Sequence, residues 1–113
     1  MSWDKEFNSG DYDRHAIESI LLHGWADESW HNDACPSFTF GPNLEFEYAT
    51  YPEFRIWVET RDSDLREGMA HQFCFTQHGI NEGEYDTVFQ TNNFDELRPY
   101  LTIEGLVEKG VIS

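Results

Sequence analysis

Lysine is almost missing from this chain: its two, Lys5 and Lys109, stand near the ends of 113 residues. Between them, residues 6–108 hold 21 carboxylates and five arginines, Arg14, Arg55, Arg61, Arg66 and Arg98. Phosphate is contacted through Lys and Arg, so the shortage argues against direct binding of DNA or RNA. Long apolar runs are missing too. None approaches the ~18–20 residues of a membrane span. The opening Met-Ser-Trp-Asp-Lys-Glu-Phe has neither the basic nor the apolar region of a secretory signal, so a cytoplasmic protein with no membrane partner is expected. Cysteine is scarce, and Cys35 and Cys74 lie too far apart for a redox or zinc pair motif. Free thiols in a reducing compartment are the expectation.

The usual strings of catalysis are missing as well. There is no phosphate-cradling glycine loop, no Gly-x-Ser-x-Gly and no His-Glu-x-x-His. His23, Asp27, His31, Asp33 and Cys35 lie close in sequence, but structural zinc sites use two tighter Cys or His pairs, so an ordinary loop is expected. Asp62-x-Asp64-x-x-Glu67 lacks the twelve-residue loop and central glycine of a calcium site, and reads as solvated acids. With 22 acids some carboxylate pairing is inevitable and carries little weight for glycosidase chemistry. Cys74, inside Phe73-Cys74-Phe75, reads as an inert strand residue. The expectation is a protein that is not an enzyme and needs no cofactor or metal.

What the chain does have is acid and aromatic content together: 22 acidic against seven basic side chains, a formal charge of -15, with nine Phe, five Tyr and four Trp. Disordered acidic segments are poor in aromatics, so this charge belongs to a folded surface. At this length one domain can bury a core without metal or disulfide staples. A halophilic source is a rival cause of an acidic, lysine-poor surface.

Residues 1–10 read as a loose arm. Asp11 or Ser9 then caps a helix over about Tyr12–His23, whose apolar set Tyr12, Ala16, Ile17, Ile20 and Leu21 forms one buried stripe, with Gly24 as its C-terminal cap. Trp25–Pro36 reads as a loop. Alternation and turn residues predict strands over Ser37–Phe40, Leu44–Thr50, Phe54–Arg61, His71–His78 and Tyr85–Thr91. Asn93 with Glu96 resembles a capping box, Pro99 breaks the helix it opens, and a second short helix runs from about Thr102 to Lys109, ended by Gly110. The order helix, antiparallel meander, helices defines a single α+β domain.

If Tyr51-Pro52-Glu53 is a hairpin loop, Thr50 pairs with Phe54, Tyr48 with Ile56 and Phe46 with Val58 on one apolar face. The other face then sets Glu45 opposite Glu59 and Glu47 opposite Trp57. Like charges facing each other are destabilising, so reversing Glu45, Glu47 and Glu59 together should weaken binding and raise stability. Same-face residues repeat about every 6.8 Å along a strand, close to the phosphate spacing of one nucleic-acid strand, given roughly one charge per 1.7 Å of duplex axis. Glu45, Glu47 and Glu59, extended by Asp62, Asp64 and Glu67, form a candidate phosphate-mimicking row. The helix and loop acids Asp11, Asp13, Glu18, Asp27, Glu28 and Asp33 are the further candidates. Ordinary surfaces intersperse both signs, so the whole set suggests a negative field that serves a purpose.

In size, charge, aromatic richness and element order, the chain resembles the small acidic DNA-mimic proteins, and among them most the neisserial kind that targets the histone-like protein HU. The resemblance spans the whole chain and rests on no diagnostic string. It implies carboxylates in place of phosphates on the DNA-binding surface of a basic protein, with HU the partner implied. Immunity proteins and antitoxins that neutralise a nuclease toxin are also small, acidic and often α+β, and stay open as the alternative. A monomer is expected in either case.

Overall fold

The structure, a computed structural model, describes residues 2–40, 53–66, 70–78 and 85–111. Its N-terminal end corrects the expected loose arm. Residues Trp3–Glu6 form one helical turn, α1, and a 3-10 turn follows over Ser9–Asp11. Trp3 is buried, its ring edge-on to Tyr12 at 6.2 Å, and Phe7 meets the same Tyr12 at 5.9 Å. Two large rings within seven residues have enough apolar area to hold the segment down despite its Ser, Asn and Gly content.

Helix α2 spans Arg14–Leu22 and is capped by Asp13, whose carboxylate accepts from the Ala16 amide at 3.1 Å. Asp11 and Ser9 cannot be the cap, because they belong to the 3-10 turn. Ala16, Ile17 and Ile20 are buried with Tyr12, so the apolar stripe lies where its spacing predicts. Gly24 leaves the helix at φ 90°, a conformation that favours glycine.

Five strands follow: β1 (Ala26–Asp27), β2 (Ser37–Phe40), β3 (Glu53–Val58), β4 (Phe73–His78) and β5 (Tyr85–Thr91). They form one antiparallel sheet in the order β1-β2-β3-β4-β5, each strand beside its neighbour in sequence. The two-residue β1 lies inside the stretch read as a loop. Alternation puts Phe54, Ile56 and Val58 of β3 into the core. Register then aligns Phe38, Ile56, Phe75 and Phe89 as one row across four strands. A bulge between Phe75 and Thr76 shifts the last pairing.

Here the expected hairpin register is overturned. Ile56 pairs with Phe38 on one side and Phe75 on the other, and Trp57 pairs with Ser37 and Cys74. Both sides of β3 are taken by β2 and β4, so Ile56 is not available to Tyr48, nor Trp57 to Glu47. The expected strand Leu44–Thr50 lies outside the described residues. Phe38 and Phe40 carry the same alternation as the 44–50 segment, so patterning did not distinguish the two as partners of β3.

The chain closes with α3 (Phe94–Leu97), a 3-10 turn over Arg98–Leu101 that holds Pro99 near its start, and α4 (Ile103–Glu108). Asn93 caps α3 by accepting from Asp95 N–H at 3.0 Å. Glu96 does not complete a capping box; its carboxylate accepts from the Thr91 hydroxyl at 2.7 Å. Thr102 caps α4 through the Gly105 amide. Leu97, Leu101 and Leu106 join α2 and the sheet in one core. Trp25 ties its two ends together, stacked on Phe40 at 5.2 Å while its indole donates to the Leu101 carbonyl at 3.0 Å. The fold is α+β.

Candidate interaction surface

The acids selected from sequence meet different fates. Glu59 is 1% exposed and is no surface residue: its amide donates to Gln72 O, and its carboxylate accepts from the Thr60 amide. The returning 28–37 segment comes beside it, and the Glu59 carboxylate acts on the buried Cys35 thiol. The row built on Glu59 is therefore corrected, while Glu45, Glu47 and Glu67 lie outside the described residues.

Three other carboxylates are bound to backbone amides. Asp13 caps α2. Asp27 clasps the N-terminal segment, accepting from Trp3 N–H at 2.8 Å and Ser29 N–H at 3.0 Å. Asp62 accepts from Asp64 N–H at 3.0 Å, opening the 3-10 turn Ser63–Leu65. Such bonds fix a carboxylate's direction. Asp11 and Asp33 are half-buried, and Glu18, Glu28, Asp62 and Asp64 are exposed. Asp4, Asp86, Glu104 and Glu108 are exposed as well and were not singled out by spacing. Among the described residues the exposed acids thus sit mostly on helices and loops, with Asp86 on β5.

The cations show the complementary arrangement. Arg66 donates to the Thr60, Ala70 and Arg61 carbonyls and to Asn92 Oδ1, at 2.8 to 3.3 Å, and so clamps the chain between β3 and β4. Arg61 donates to the Gly10 carbonyl at 2.6 Å. Arg55 lies over Trp57 at 5.2 Å and Lys109 over Tyr100 at 6.0 Å. Arg14 pairs with Glu18 at 3.4 Å, and Arg98 pairs with Asp95 at 2.9 Å while covering Phe94. The last two pairs are exposed and add little stability. Six of the seven Lys and Arg side chains are thus directed onto the protein's own carbonyls, carboxylates and rings.

Other chemistry finds little to build on. Among the described residues no three His, Cys, Asp or Glu side chains are placed to hold a metal ion. In the stretch considered for zinc, His31 pairs with Glu6 at 2.7 Å, His23 contacts the Ser19 carbonyl and Asp27 holds two amides. Burial pushes the Cys35 thiol well above its ordinary value, with Glu59 and Asp33 adding to the effect, and burial raises Cys74 too. A thiol held protonated is a poor nucleophile. One open cleft lies between the starts of α2 and α3, lined by Asp13, Asn93 and Asp95, and another lies beside Ile103 of α4. No helix among the described residues is long and apolar enough to cross a membrane.

No family model, curated protein or solved structure matches this chain.

Proposed function

We propose that this protein is a non-enzymatic inhibitor or regulator that occupies the DNA-binding surface of a basic protein, with its carboxylates standing where phosphates would. One observation carries the reading: among the described residues exposed carboxylates outnumber the cations, and the arginines are engaged with the protein's own carbonyls, carboxylates and rings. Arg14, Arg61 and Arg98 stay exposed but are too few to balance a net charge of -15. Such a field speeds association with a cationic partner and repels nucleic acid. The nucleoid protein HU is the partner named by the resemblance.

The test is competition. Added protein should release duplex DNA from HU, and the effect should fade steeply with salt as exposed charges are screened beyond about 8–10 Å. Retardation of DNA by the protein alone, or affinity for HU that is flat with salt, would count against the proposal. The second reading, immunity against a nuclease toxin, draws support from the exposed apolar residues Ile103 and Val107, which suit one dedicated partner. Protection of a co-expressed nuclease host, with no effect on HU, would favour it.

A further inference from the structure

The outer face of α4 is unlike the rest of the acidic surface. Ile103 and Val107, four residues apart, are 48% and 47% exposed, and Glu104 and Glu108 repeat beside them with the same spacing. Residues four apart on a helix form adjacent rows, so α4 presents an apolar row next to an acidic one. Its opposite side, Gly105 and Leu106, is buried. A cleft of about 360 Å³ opens alongside, with His23, Phe40, Leu101, Ile103 and Glu104 in its lining. Among the described residues, two of the six exposed large hydrophobic side chains belong to α4.

We propose that the outer face of α4 docks a basic amphipathic helix of the protein partner, its apolar row on Ile103 and Val107 and its cations on Glu104 and Glu108. The proposal rests on the basic-partner reading and assigns that partner a place. Charge selects the occupant. A second copy would set Glu104 and Glu108 against like charges, and an anionic lipid surface would repel them. A purely cationic chain would leave Ile103 and Val107 uncovered. A helix with apolar and basic residues in adjacent rows satisfies both rows of α4 at once.

The test uses two probes on the full chain at low salt: a synthetic Leu/Lys peptide with apolar residues at i and i+4, and oligolysine of equal charge. The peptide should bind at least about tenfold more tightly than oligolysine, equivalent to one decade in Kd. Backbone amide shifts should concentrate at His23 and residues 103–108. Ile103→Ser with Val107→Ser should remove the peptide's advantage and leave oligolysine binding unchanged, in a variant whose thermal melt shows it folded. If that variant does not fold, the shift map on the unaltered protein decides the matter. Equal binding of the two probes, or shifts centred elsewhere, overturns the docking site and leaves the basic-partner reading standing. Binding of neither probe overturns both.

Discussion

A Cβ atom at Gly105 would lie 1.7 Å from the carbonyl oxygen of Pro99. Helix α4 therefore rests on the 3-10 turn through a contact that only glycine permits, and the obstacle is backbone, which a rotamer change cannot relieve. Gly105→Ala should cost about 3 kcal/mol or more, because the two elements must separate. Urea unfolding measures this. A loss below about 1 kcal/mol would show that the turn can move aside.

Trp3 is the corresponding anchor of the N-terminal segment. Its side chain is 6% exposed and its amide is held by Asp27 at 2.8 Å. Trp3→Ala should lower stability by about 3–5 kcal/mol, the range for a large buried ring, and should open the bonds after residue 3 to limited proteolysis. A stable variant with unchanged cleavage would restore the loose-arm reading.

Charge reversal should separate the buried acid from the exposed ones. Glu59→Lys replaces a carboxylate that is 1% exposed with a buried ammonium, and should destabilise by about 3–5 kcal/mol. Glu28→Lys and Asp64→Lys, both at exposed positions, should stay within about 0.5 kcal/mol of the parent. Thermal melts distinguish the cases. The gain in stability expected from relieving a Glu45–Glu59 repulsion is therefore replaced by a loss.

Cys35 gives the fold an alkaline limit. Its folded thiol stays protonated well above the ordinary value of 9.0, whereas the unfolded thiol ionises there. Above that pH the folded state binds more protons. The contribution is fully present below pH 9 and declines as pH rises, by about 1.4 kcal/mol per pH unit. Comparing urea midpoints of the parent and Cys35→Ala at pH 8 and pH 10 isolates this group, since other titrations cancel. An equal decline in both would show that the thiol does not contribute.

The sequence carried much of this fold in local signals. Asn93, Thr102 and Gly24 act on neighbours within a few residues, so their positions are readable from a short window. Period-two alternation likewise assigned Phe54, Ile56 and Val58 to the core. Strand partnership is a non-local choice that patterning does not settle: Phe38 fits against Ile56 as well in pattern as Tyr48 does. The same limit applies to the surface. Net charge is a sum and needs no coordinates, but whether Glu59 faces solvent depends on the return of the 28–37 segment. Ile103 and Val107 were placed on a helix, yet their exposure follows from Gly105 and Leu106 taking the inward side.

The sequential order β1-β2-β3-β4-β5 bears on how the chain reaches this state. Among the described residues every ladder joins strands consecutive in the sequence, so none of these waits for a distant segment to arrive, and the loop-closure entropy of each pairing is modest. The long-range contacts, such as Trp25 with Leu101 across 76 positions, join helices and turns onto a sheet that can already zip from its centre. Mutual repulsion of the carboxylates opposes collapse throughout. Added salt should therefore quicken refolding of this protein even as it weakens the complexes proposed for it.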